Sequence, residues 1–275
     1  MKRKGSGFTV VELLVALGIV ALLVGLLIPA LSAVRNIAKE TKQKAQFTAI
    51  GLGLIAFKND YGDYPPSDWS LPPEPGSDYC GAQKLAEALL GWDLLGFHPK
   101  SDFRSNGRND DGYFIYDAND PVFFDQRKGP YLELATTSAF RLGDLFRPYP
   151  TGPLAPNTLV ICDVFGTRKI MLANGEAVRA GAPILYYKAN TSDKTIRGIY
   201  RASDNDALVV VKQEADVKEH PLARPASQFQ FFYDYIRDPK IDARAWPYRP
   251  DSYILISAGA DGLYGTGDDI RNFGN

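Results

Sequence analysis

The sequence predicts an α+β protein. A long N-terminal α-helix, with a membrane half and a half packed on the folded body, lies against an antiparallel β-sheet, with an irregular insertion and an acidic, glycine-rich C-terminal loop. Three observations predict this. Leu13 to Leu31 contains no charged residue, and at about 1.5 Å per residue it makes roughly 28 Å of helix, close to the hydrocarbon thickness of a bilayer. Apolar residues go on recurring three or four apart beyond that run. Short β-branched and aromatic stretches then populate the C-terminal half.

Composition narrows the class. The chain has 275 residues, 45% hydrophobic and 23% charged, with a formal net charge of −1. That balance argues against a protein built to bind nucleic acid. A mean hydropathy of −0.19 argues against many membrane spans, and the apolar fraction argues against whole-chain disorder. One N-terminal membrane segment followed by one folded body fits both numbers. Cys80 and Cys162 are far apart and in no metal-type spacing. A disulfide, if the body lies outside the cytoplasm, and two unpaired structural thiols are both open readings.

Lys2, Arg3 and Lys4 precede the apolar run and favour a cytoplasmic N-terminus by the positive-inside rule. The run passes into Ala30-Leu31-Ser32-Ala33, which offers small residues of the kind a signal peptidase cuts, but it is long for a signal core. Glu12 weighs further against a plain signal. An unpaired carboxylate inside a membrane helix costs on the order of 2–4 kcal/mol near the centre and less near an end, so it asks for a role. Snorkelling to the headgroups is the bland alternative.

The stretch Gly7-Phe8-Thr9-Val10-Val11-Glu12-Leu13-Leu14-Val15 resembles a type IV prepilin, the class of type IV pilins and type II secretion pseudopilins. A short basic leader ends in glycine, phenylalanine follows, and glutamate is the fifth residue of the mature chain. The resemblance implies that a prepilin peptidase cuts between Gly7 and Phe8 and N-methylates Phe8, leaving the apolar segment as anchor. It also implies that Glu12 of one subunit neutralises the N-terminus of a neighbour in a filament. Opposite charges attract strongly in a low-dielectric core, where an unpaired one is expensive, so the pair would fix axial register more than it adds stability. Pro29 removes the hydrogen bond that the Gly25 carbonyl would accept. The resemblance makes that stretch a place where the helix loosens on assembly; an inert kink is the other reading.

Val34, Ile37, Thr41, Ala45, Thr48, Leu52, Ile55 and Ala56 continue the helical period, and Arg35, Lys39, Lys42, Lys44 and Lys58 take other positions. One helix from Phe8 to about Asn59 would be roughly 75 Å long. Asp60-Tyr61-Gly62-Asp63-Tyr64-Pro65-Pro66 ends it with breaker residues. Asp60, Gly62, Tyr64 and Pro65 resemble the end of the long helix in type II secretion major pseudopilins (the protein G class). The expected organisation is therefore a leader peptide at 1–7, a transmembrane and filament-core helix at 8–34 and its amphipathic continuation at 35–64. An irregular insertion follows at 65–158, then a β-sheet region with its C-terminal loop at 159–275.

Within the insertion, a short helix is expected around Ala82 to Leu90. A polar loop over 106–112 precedes an aromatic strand from Tyr113 to Tyr116, and the loop's aspartates read better as solvated than as a cation site. Strands are expected at Leu159–Asp163, Ile184–Lys188, Ala207–Val211, Phe229–Tyr235 and Tyr253–Ser257. Asp163-Val164-Phe165-Gly166 loosely resembles a family turn before a strand, and the run from Gly181 to Tyr187 resembles a strand entry in related pseudopilins.

The sharpest signal in the body is Ser257-Ala258-Gly259-Ala260-Asp261-Gly262-Leu263-Tyr264-Gly265-Thr266-Gly267-Asp268-Asp269-Ile270. A strand runs into a loop whose Asp261, Asp268 and Asp269 a hairpin-like path would bring together. Calcium takes about six to eight hard oxygens in irregular geometry, and the glycines let carbonyls turn inward. The order is not that of an EF-hand. The segment strongly resembles the calcium loop of type II secretion major pseudopilins. The resemblance implies side-chain oxygens from Asp261, Asp268 and Asp269 and a backbone carbonyl from Ala258. A solvated acidic turn is the plain alternative.

Catalysis is not expected. The two histidines, His98 and His220, each precede proline, and HExxH, GxSxG and P-loop patterns are absent. The expected function is a structural subunit of a type II secretion pseudopilus. It polymerises through the N-terminal helix after peptidase cleavage, in partnership with prepilin peptidase, its own copies, other pseudopilins and the inner-membrane secretion platform. Its expected place is the bacterial inner membrane, crossed once, with a cytoplasmic N-terminus and a periplasmic body, and then the periplasmic pseudopilus. A type IV pilin or minor pilin and a monomeric anchored binding protein are the other classes. Glu12 argues against the last, because a lone anchor needs no such charge.

Overall fold

The computed structural model describes residues 9–69, 79–134, 137–223 and 230–274. It divides into two units, Met1–Thr41 and Lys42–Asn275. Helix α1, Val10–Tyr61, begins in the first and ends in the second.

The N-terminal unit is the first part of α1. Within it Val10–Ile28 has a mean hydropathy of 2.9 and none of the span is buried. Leucine, valine and isoleucine point outward all round, the pattern of a helix whose solvent is lipid or other helices.

The C-terminal unit carries the remainder of α1. Here Gln43, Phe47, Ile50, Leu54 and Phe57 are buried, three or four apart. This corrects the expected face: Ala45, Thr48, Leu52 and Ile55 are exposed instead. Both stripes are apolar enough to read as a core face. The one with two phenylalanines and two large aliphatics covers more surface, so it is the one turned inward. The helix ends where the breakers stand: Gly62 takes φ +89° and its N–H donates to the Lys58 carbonyl at 2.7 Å.

Helix α2, Gly81–Leu90, is buried along its whole length. Its start fits so tightly that a Cβ at Gly81 would lie 2.4 Å from the Tyr186 carbonyl oxygen. Asn205 locks the same joint, accepting from the Ala82 N–H and donating to the Tyr186 carbonyl. Segment 65–158 thus supplies a central piece of the core. Short helices α3, Pro121–Phe124, and α4, Leu142–Phe146, lie in the same stretch, and a further short helix, α5, spans Ile196–Ile199.

The strands pair antiparallel. Strand β1, Ala139–Arg141, pairs with β2, Leu159–Ile161. Strand β3, Arg168–Met171, pairs with β4, Ala177–Ala180. Strand β5, Leu185–Lys188, pairs with β6, Tyr253–Ser257, and β6 with β7, Ile270–Arg271. Alternation on β5 and β6 explains their continuous apolar sequence. Tyr186, Tyr253 and Leu255 join Phe47, Ile50, Leu54, Leu85 and Leu89 on one face. Leu185, Tyr187, Ile254 and Ile256 face the other way, toward Val209, Phe232 and Tyr264. The sheet is therefore buried on both sides.

Three of the expected strands are not strands. Ala207–Val211 lies in helix α6, Asp206–Asp216, and Phe229–Tyr235 corresponds to helix α7, Gln230–Tyr235, with Phe229 outside the described residues. The β-branched run in α6 mimics a strand, but Leu208, Val209, Val211, Lys212 and Ala215 are buried at helical spacing against the sheet, and packing overrides propensity. Tyr113–Tyr116 is not a strand either. It folds back on its own loop through an Arg108–Phe114 bridge and an Ile115 N–H bond to the Gly107 carbonyl. The hairpin of β3 and β4 was unexpected. Cys80 and Cys162 are free, buried thiols; burial pushes Cys80 up to about 12.

Candidate functional site

Two segments carry the expected site residues. At the N-terminus, Gly7 and Phe8 lie outside the described residues. Glu12 sits in the first turn of α1 with its carboxylate exposed and turned back on Thr9. Its Oε2 accepts from the Thr9 N–H at 2.9 Å and the Thr9 hydroxyl at 2.8 Å, while the Glu12 N–H donates to Thr9 Oγ1 at 3.2 Å. This reciprocal arrangement is a capping box, which satisfies donors at the helix start. Among the described residues no cation lies within ion-pair distance of Glu12. Pro29 lies within the helical span of α1.

At the other end, the loop from Ala258 to Asp269 closes on itself. Ala258 is buried at the exit of β6. Gly259 takes φ +65°, and a Cβ there would stand 2.3 Å from the Asp268 carbonyl oxygen, so only glycine fits. The Asp261 N–H donates to Asp268 Oδ2 at 2.9 Å, which brings the two ends of the loop together as the spacing predicts. Asp261 Oδ1 accepts from the Leu263 N–H at 2.7 Å, and Thr266 Oγ1 donates to Asp268 Oδ1 at 2.6 Å. Asp269 turns inward. Its Oδ2 accepts from the Gly265 N–H at 2.8 Å and from the Tyr235 hydroxyl on α7.

The two adjacent carboxylates are held differently. Burial, with the Asp268 charge beside it, pushes Asp269 up to about 7 against the pull of Tyr235 and Gly265. Burial also works on Asp268, but the Thr266 hydroxyl and the Asp261 N–H outweigh it and lower its pKa. Among the described residues no three His, Cys, Asp or Glu side chains converge in metal-ligand fashion. The loop's carboxylate oxygens accept from its own N–H and O–H groups and, at Asp269, from the Tyr235 hydroxyl on α7. Its donor set is all oxygen, the class that calcium takes, and an ion would have to draw Asp261 and Asp268 away from those internal donors.

Sequence reasoning missed the partners that hold the loop. The aromatic run predicts a strand at Tyr235, whereas α7 aims its hydroxyl at Asp269. His220 Nδ1 accepts from the Tyr264 N–H at 3.1 Å, and the Tyr264 hydroxyl donates to the Pro183 carbonyl. Asp163 accepts from the Ser257 hydroxyl at 3.0 Å where β6 meets the loop, and burial pushes it up to about 6. No local motif marks these contacts.

The family model described as the prokaryotic N-terminal methylation motif matches residues 2–28. No curated protein and no solved structure matches the chain significantly. The matched segment holds the basic leader, the Gly7–Phe8 junction, Glu12 and most of the apolar span. The motif implies processing by prepilin peptidase, methylation and assembly into filaments, and the apolar helix fits a membrane anchor. Over residues 2–28 the chain carries the N-terminal motif of type IV pilin-like proteins.

Proposed function

We propose that this protein is a subunit of a type II secretion pseudopilus, of the major-pseudopilin kind. The growing fibre would work in the periplasm of a bacterium, anchored through the inner membrane, and support export of folded proteins. Its partners on this reading are prepilin peptidase, its own copies, other pseudopilins and the inner-membrane secretion platform. The observation that carries the reading is the pairing of two distant features in one chain. One is a methylation-motif N-terminus whose Glu12 lacks a cation among the described residues. The other is a closed, glycine-turned acidic loop leading out of the central strand.

The same loop supports structural calcium. Asp261, Asp268 and Asp269 would give carboxylate oxygens and Ala258 a carbonyl oxygen, and the ion would supply the positive charge that a buried Asp269 beside Asp268 lacks. Its role would be to tie α7, β6 and β7 together, with no part in chemistry. A type IV pilin or minor pilin shares the N-terminus, and the acidic loop is what favours the pseudopilus.

Glu12→Ala tests the assembly half. The variant is expected to insert in the membrane and lose its leader normally, yet yield few fibres. Fibres in normal yield would refute the role given to Glu12. Double substitution Asp261→Ala/Asp269→Ala tests the calcium half. It should abolish the rise in melting temperature that calcium gives the wild-type chain. An unchanged rise would exclude this loop as the site.

A further inference from the structure

The buried and exposed stripes of α1 leave a surface that the body itself does not use. Leu52 and Ile55 are 65% and 48% exposed on the outward side of α1, beside Phe47. They line a groove of about 450 Å³ whose other walls carry Lys44, Arg249 and Arg271. Among the described residues, none of these three cations lies within ion-pair distance of an acid. The groove is thus apolar at its floor and positive at its rim.

A feature of opposite character stands elsewhere on the same unit. Helix α3 holds out Val122 and Phe124, 66% and 42% exposed. Asp117, Asp120 and Asp125 surround them. The first two use one oxygen each to accept backbone N–H bonds within the turn, from Asn119 at 2.8 Å and Val122 at 2.9 Å. Among the described residues, none of the three acids is ion-paired. The neighbouring cations are already engaged, Arg127 by Asp93 and Lys128 by Asp60. The α3 knob is therefore apolar at its tip and negative at its base.

We propose that the α3 knob of one copy docks in the α1 groove of the next copy. Val122 and Phe124 would rest on Leu52 and Ile55, and Asp117, Asp120 and Asp125 would face Lys44, Arg249 and Arg271. Apolar anchors ringed by complementary charge are the arrangement that gives both affinity and orientation. Knob and groove share no residue, so each copy offers one of each. The contact is head-to-tail, and such contacts build a fibre, rather than a two-fold dimer, wherever the rotation between copies does not close into a ring. It deepens the filament reading above and rests on it, since it names the surfaces of the body that join neighbouring copies.

The test uses full-length processed protein assembled into fibres. Leu52→Cys and Val122→Cys in one chain should cross-link neighbouring copies into a ladder on mild oxidation; the native cysteines are buried. Lys44→Glu and Asp125→Lys should each lower fibre yield about tenfold. Both side chains are exposed and lie outside the core, so folding should be unaffected. Lys44→Glu combined with Asp125→Lys should restore yield. Fibres that form normally with either single variant, or that give no ladder, would overturn the contact and leave the filament reading standing. Wild-type protein that forms no fibres under any condition would overturn both.

Discussion

Asp269→Asn reports directly on the charge state of the C-terminal loop. In the fold this carboxyl titrates at about 7 against an ordinary 3.8, because burial and the adjacent Asp268 outweigh the hydrogen bonds from Tyr235 and Gly265. A carboxyl raised in the fold holds a proton that the unfolded chain releases earlier. Its contribution is therefore neutral below about pH 4, and stability falls as pH rises from there to 7. The interval corresponds to about 4 kcal/mol, a ceiling because the side chain keeps some contact with water. Asparagine keeps an acceptor for both donors and never ionises. In calcium-free buffer, variant and wild type should melt alike near pH 4. At pH 8 the variant should melt higher, by up to about 10 °C for a unit of this size. Asp163 and Asp204, raised to about 6 and about 7 by burial, are present in both proteins and cancel in the difference. Calcium at pH 8 should raise wild type far more than the variant. Thermal melts of the detergent-solubilised chain by circular dichroism measure all of this. The same pH slope in both proteins, or the same calcium shift, would refute the reasoning.

Three further substitutions test the packing that positions the site. Leu89→Ala removes a fully buried side chain in the last turn of α2; chemical denaturation should show a loss of about 2–5 kcal/mol. Glu87 accepts from Tyr79, Ser101 and Tyr116 in the core. Glu87→Ala strands three hydroxyls beside a cavity, and the same assay should show a loss of about 3 kcal/mol or more. Gly259→Ala forces a Cβ against the Asp268 backbone at a left-handed residue; it should lower the melting temperature and blunt any response to calcium.

The N-terminal anchor, the end of α1 at Gly62, α2, and strands β2, β5 and β6 were legible because each rests on local chemistry. An uncharged run, a left-handed glycine and a bounded apolar stretch are properties of neighbours in sequence. The closure of the acidic loop was legible for the same reason. What failed depended on distant partners. Helices α6 and α7 read as strands because β-branched and aromatic runs fit either state until the sheet they cover is known. The buried stripe of α1 was mistaken because two apolar stripes compete, and only the position of α2 and β6 decides between them. The β3–β4 hairpin left a trace that could have been used. Asn174-Gly175 makes its turn, where Leu172 and Glu176 are joined by a backbone hydrogen bond of 2.9 Å. Tyr235 meeting Asp269 left no trace, since the two lie on separate elements that only the tertiary fold brings together.

The central claim is that this chain matures as a prepilin does and assembles through its freed N-terminus. Intact-mass and N-terminal analysis of the protein purified from cell membranes tests it most directly. The account predicts a mature chain that begins at N-methylated Phe8 and keeps the whole apolar helix, with unprocessed protein accumulating when prepilin peptidase is deleted. A chain that begins at Met1, or at a residue beyond Leu31, would contradict it.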